Sequence, residues 1–196
     1  MSDIRHEMKV FRIRPDPGRY QMVGSAPRFT EEHAPTHAGA PALQNWRRLQ
    51  MAVHDPLKKR GEFLFFPLEF LVTSPVTTET FMDCIRTDVQ ILPVGVDASD
   101  EDYCLWNIVN FTDAIDLERT AFGPPPFQSI PSVWAFKADR LSRAMLFRDQ
   151  RCPAILLVTT GVGDPDTDFY RRYHDLGMKG LTFDLLWRSD GPSGAG

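Results

Sequence analysis

Asp164, Asp166 and Asp168 alternate along the chain with the spacing a calcium loop uses for its first carboxylates. The rest of such a loop is missing. Its sixth position is Phe169 where a glycine makes the sharp turn, and its twelfth is Asp175, shorter in reach than a bidentate glutamate. Carboxylates here suit the first turn of a helix, where they favour the dipole. Just upstream, Gly161-Val162-Gly163 follows an apolar run, as in a dinucleotide fingerprint. The next glycine position is Asp166, however, and acidic side chains would repel a pyrophosphate. His33 and His37 stand four apart, a spacing that suits metal ligation on a helix, but Pro35 between them breaks the helix. Asp113 and Asp116 could do acid–base work, yet no histidine is close in sequence, and capping explains them more simply. Cys84, Cys104 and Cys152 are widely spaced, form no C-x-x-C and lie in or beside apolar runs, so they read as reduced, mostly buried thiols. No P-loop and no G-x-S-x-G elbow occurs. This reading assigns no catalytic residue, no metal and no cofactor.

One charged cluster is a candidate for partner contact. Asp97, Asp100, Glu101 and Asp102 fall between two expected strands. Such a loop is either a solvated hairpin tip or a negative surface for a basic partner.

The elements that must position these residues follow from hydrophobic spacing. Met8 to Ile13 alternates as an opening strand, stopped by Pro15, Pro17 and Gly18. A long loop is expected near 15–42, then a helix from Leu43 to Val53, where Leu43, Trp46, Leu49 and Val53 recur at helical spacing. Phe70-Leu71-Val72 reads as a strand, Ser74-Pro75 as a helix start running to about Ile85, and Val89 to Val96 as a second strand. Ala154 to Val158, a helix carrying Phe169, Tyr173 and Leu176, a stop at Gly177 and a strand from Leu181 to Leu186 follow the same plan. Val72 and Val158 lie 86 positions apart and Leu92 and Leu185 lie 93 apart, which suggests two similar strand–helix–strand units. Between them, Tyr103 to Phe111, Ser132 to Phe136 and Ala144 to Arg148 read as strands, and Gly123-Pro124-Pro125-Pro126 as a rigid spacer. The expected fold is α+β, a mixed or antiparallel sheet with helices packed on it. Residues 1–188 would form a single globular domain and 189–196 a flexible tail.

The bulk composition is that of a soluble globular chain, with 196 residues, 42% hydrophobic and 24% charged. A net charge of −4 argues against a phosphate-tracking nucleic-acid binder. No apolar run reaches the roughly 18 residues of a membrane helix. The first fourteen residues carry scattered charges and no signal-peptide core, so a cytoplasmic site is expected.

A succession of short motifs spans most of the chain. Leu71-Val72-Thr73-Ser74 leads to Asp88-Val89-Gln90-Ile91-Leu92-Pro93-Val94, then to Tyr103-Cys104-Leu105-Trp106-Asn107-Ile108-Val109 and Asp113-Ala114-Ile115-Asp116-Leu117-Glu118. Leu146-Phe147-Arg148 and Leu176-Gly177-Met178-Lys179-Gly180-Leu181-Thr182-Phe183 follow. Upstream stand Asn45-Trp46 and Lys59-Arg60-Gly61-Glu62-Phe63. In this order the motifs resemble a bacterial immunity-protein family of polymorphic toxin systems, once described only as a domain of unknown function. Thr120, where serine is common, and the proline-rich insert at 123–126 depart from the pattern. The resemblance implies an antitoxin-like role, in which the chain binds and neutralises a cognate toxin or secretion-system effector. It transfers no catalytic residue. The competing expectations are a non-catalytic scaffold or adaptor that self-associates, and a small enzyme whose site is assembled in space.

Overall fold

A computed structural model describes residues 7–25, 46, 48–66, 70–97, 102–124 and 131–190. Strand residues far outnumber helical ones, and the strands form two main sheets and a small ribbon.

The first sheet has six strands: β2 (Met22–Ser25), β3 (Leu49–His54), β4 (Phe63–Phe66), β5 (Phe70–Thr73), β6 (Val89–Val96) and β7 (Asp102–Ile108), in the spatial order β2-β3-β6-β7-β5-β4. It is mixed, with β3 parallel to β6 and the other pairs antiparallel. Its two edge strands approach one another, and Tyr20 and Lys59 bridge beside them. The sheet therefore curls on itself. Every strand sends apolar side chains to the inner face, among them Val23, Met51, Leu64, Val72, Leu92 and Leu105, all buried together.

The second sheet runs β13-β1-β12-β11-β8. Its strands are β1 (Lys9–Pro15), β8 (Phe111–Thr112), β11 (Met145–Asp149), β12 (Cys152–Thr160) and β13 (Leu181–Arg188). The excursion between β8 and β11 holds a two-stranded ribbon, β9 (Ala121–Phe122) with β10 (Pro131–Val133). Ala114, Ile115, Phe136 and Leu141 of that excursion cover Val10, Phe147 and Leu157 on the outer face.

Between the sheets lies the central core. Phe11, Leu146 and Val158 of one sheet meet Phe63, Leu71 and Trp106 of the other. Three short helices, α1 (Pro75–Thr80), α2 (Met82–Ile85) and α3 (Phe169–Asp175), add Phe81, Ile85, Phe169 and Tyr173. Phe63 has Phe81, Trp106, Phe169 and Tyr173 around it at centroid distances of 5.4, 5.4, 5.8 and 5.5 Å. Each fully buried aromatic of this kind contributes about 1.5–3 kcal/mol of burial energy. The indole N–H of Trp106 donates to Thr78 Oγ1 at 3.1 Å, so the one polar atom of that ring is satisfied.

The helix starts are built as their sequences require. Ser74 Oγ accepts the Thr77 N–H at 3.1 Å with Pro75 at the first position. Gly177 ends α3 with φ at +63°. Several expectations are corrected. The stretch 49–53 is strand β3, not helix: Leu49, Met51 and Val53 alternate, and their period-two pairing, with β6 at Leu49 and Met51 and with β2 at Val53, outweighs the helical spacing to Trp46. Residues 43–45 and 47 lie outside the described residues, as do His33, His37 and residues 191–196. Within the expected loop at 15–42, residues 22–25 form β2. The described residues are mostly sheet, with the mixed sheet expected, and the helices among them are short pieces packed between the two sheets. Among the described residues, no helix is long and apolar enough to cross a membrane.

Candidate functional site

The acidic loop is structural at one end and exposed at the other. Asp97 sits at φ +56°, a left-handed conformation that aspartate tolerates better than most residues. Its N–H donates to Met51 O at 2.8 Å, and its Oδ1 accepts the Val53 N–H at 2.8 Å. The Gln50 amide also donates to its carbonyl. Asp97 thus ties the end of β6 back onto β3. Asp102 is exposed and pairs with Arg48 at 3.0 Å. Asp100 and Glu101 lie outside the described residues. Of the two members of this set among the described residues, Asp102 is the one a partner could read.

Of the aspartates that the sequence offered for chemistry, Asp164, Asp168 and Asp116 accept backbone N–H groups. Asp164 Oδ1 accepts the Asp166 N–H at 2.9 Å in a 3-10 turn at Pro165–Thr167. Asp168 is buried, caps α3 by accepting the Arg171 N–H at 3.1 Å, and also accepts from Thr160 Oγ1 and Gly161 N. Asp116 Oδ1 accepts the Glu118 N–H at 3.1 Å, while Asp113 lies 3.7 Å from Lys137. Among the described residues, no group of three His, Cys, Asp or Glu side chains is placed to hold a metal ion.

Two carboxylates that spacing did not single out are the most deeply engaged. Asp88, fully buried at the head of β6, accepts the Leu146 N–H at 3.0 Å, the Asn110 amide at 3.1 Å and Arg143 Nη1 at 3.1 Å. Its own carbonyl accepts the Val109 N–H at 2.9 Å. One side chain thereby joins the six-stranded sheet to β11 of the other. Asp149, also fully buried, accepts the N–H groups of Ala114 at 2.7 Å and Ile115 at 3.0 Å. It fixes the start of the excursion that covers the outer face. Neither role has a local signal, because the side-chain partners Asn110, Arg143 and Leu146 lie 22, 55 and 58 positions from Asp88, and Ala114 and Ile115 lie 35 and 34 from Asp149.

Two motifs meet across 117 residues of sequence. Glu62 Oε2 accepts the Lys179 N–H at 2.7 Å, and the Phe63 N–H donates to Lys179 O at 3.1 Å. Gly180, at φ +111°, passes so close that a Cβ there would lie 2.0 Å from Phe63 O. Only glycine fits this crossing. The chain matches no known protein-family profile and no curated protein.

A cleft of about 490 Å³ opens where α2, the 165–167 turn and the start of β11 come together. Asp83, Asp164 and Asp166 line it with Arg86, Arg143 and Arg172, over Cys84. Two of the arginines are held in place: Arg143 by Asp88, and Arg172 by the carbonyls of Thr80 at 3.0 Å and Asp166 at 2.7 Å. Burial pushes the Cys84 thiol up to about 11, so it is protonated at neutral pH and a weak nucleophile. Burial pushes Cys152 up to about 11 as well. The cleft therefore carries charged groups of both signs.

Proposed function

We propose that this chain is an immunity protein that binds and neutralises a cognate bacterial toxin in the cytoplasm, without catalysis. One observation carries the reading. The residues that give the chain its family-like motif order are those that hold the fold together. Asp88 links the two sheets, Glu62 meets Lys179, Gly180 crosses Phe63, and Trp106 and Leu146 lie in the shared core. A recurrent motif set of this kind supplies a rigid frame. Recognition is then left to exposed segments that the motifs do not constrain, which is how a binding family changes partner while keeping its fold.

The acidic loop is the first contact surface to test on this reading, through Asp102, Asp100 and Glu101. A basic toxin surface would be steered toward it over a Debye length of about 8–10 Å. Co-expression with the toxin encoded beside the gene for this chain tests the proposal. Rescue of growth supports it, and continued killing in the presence of folded protein counts against it.

A further inference from the structure

The strand order of the two main sheets repeats. One sheet contains β6-β7-β5-β4, and the other contains β13-β1-β12-β11. In each, a hairpin (β4–β5 or β11–β12) leads into a helical crossover, and the next strand (β6 or β13) runs antiparallel to a central strand shared with the first.

The match extends to single residues. Across one sheet Leu71, Trp106 and Ile91 stand in a row, and across the other Val158, Phe11 and Leu185 do. Leu71, Trp106, Phe11 and Val158 all face the core where the helices lie. Thr73 and Thr160 end β5 and β12, and both are buried. Thr73 Oγ1 bonds Thr78 Oγ1 of α1 at 2.6 Å, and Thr160 Oγ1 donates to Asp168, the cap of α3. Leu71 to Val158 and Thr73 to Thr160 are both 87 positions. The spacing of 86 between Val72 and Val158 is therefore one residue out, and in a strand one residue exchanges the two faces.

Only the central strand breaks the order. β7 follows β6 directly through residues 97–101, whereas β1 lies at the opposite end of the chain from β13. In space the two are joined as a hairpin would be. Lys9 pairs with Arg188, the Ser189 N–H donates to Met8 O at 2.9 Å, and the Met8 N–H donates to Ser189 Oγ at 3.2 Å.

We infer that the protein contains two copies of one β-β-α-β-β unit, β4 to β7 and β11 to β13 with β1, the second circularly permuted so that its last strand, β1, now precedes the first copy. β1 belongs to the C-terminal unit although the turn at Asp16–Tyr20 ties it to β2. The inference does not depend on any toxin.

Two circular permutants test it. In both, Gly196 is joined to Met1. One is opened between Gly18 and Arg19, which restores each unit as a continuous stretch. The other is opened between Arg86 and Thr87, inside a unit's crossover. Urea unfolding followed by fluorescence reads the midpoint. The first permutant is expected to keep the parent's midpoint and slope, and the second to fall by about 1 M or more. Equal losses, equal tolerance, or failure of the first permutant to fold each overturns the inference.

Discussion

The Asp88 carboxylate accepts the backbone N–H of Leu146, 58 positions along the chain, at 3.0 Å. That bond and its neighbours sit where the two sheets join, with the Arg143 guanidinium closing the site from solvent. Replacing Asp88 with alanine strands the Leu146 N–H and removes one of the acceptors of the Asn110 amide, which keeps its bond to Leu146 O, and the expected loss is about 3–5 kcal/mol. Arg143→Ala should cost less, about 1–3 kcal/mol, because its side chain is 45% exposed and water can take part of its place. Asp88→Asn, which keeps an acceptor for Leu146, should fall between the two. Urea midpoints of the three variants check this order, and an unchanged midpoint for Asp88→Ala would refute the linking role.

The acidic loop divides in the same kind of measurement. Asp97→Ala removes the acceptor for Val53 and places alanine at positive φ, so a loss of about 1–3 kcal/mol is expected. Asp102→Asn breaks only an exposed pair with Arg48 and should change stability by less than about 1 kcal/mol. Binding assays should therefore use Asp102 together with Asp100 and Glu101. If the loop meets a basic toxin, these changes slow association and reduce its salt dependence. Unchanged association rates would exclude the loop.

At Gly180 a side chain has no room. Gly180→Ala places a methyl group against the Phe63 carbonyl at a backbone angle of φ +111°, and a loss above about 2 kcal/mol is expected by thermal unfolding. Glu62→Ala, at the same crossing, removes one acceptor near the surface and should cost about 1 kcal/mol.

His174 gives the fold a pH dependence. His174 is exposed on one side, but its ring contacts with Tyr170, Tyr173 and Phe183 partly desolvate the imidazole and hold it below the usual histidine value. The unfolded chain then binds the proton more readily than the folded one. Stability is complete above the unfolded value near 6.5 and declines as pH falls from there toward the folded value. His174→Gln should flatten that part of the curve. A parent protein whose unfolding midpoint does not move between pH 7.5 and 5.5 would contradict this.

Much of the fold is legible in the sequence where period and punctuation agree. The strand expected at Val89 to Val96 is β6 itself, and Ser74-Pro75 starts a helix as its chemistry requires. Phe63 to Phe66 is harder: all four residues are buried, so no alternation marks β4, and its edge is defined by the distant Lys179. Curling of the six-stranded sheet is likewise illegible, since it brings together β2 and β4 from separated stretches. The candidate contact loop is visible as a run of charge. The division of labour within it is not, because Asp97 is fixed by Val53, 44 positions away.

The central claim is that this frame exists to be docked against. The most direct measurement is the complex with the product of the adjacent gene, which the proposal takes to be the toxin, observed by co-purification of the two folded proteins and by growth on co-expression. A stable complex with restored growth is the expected result. Two folded proteins that elute apart while the toxin still kills would contradict it.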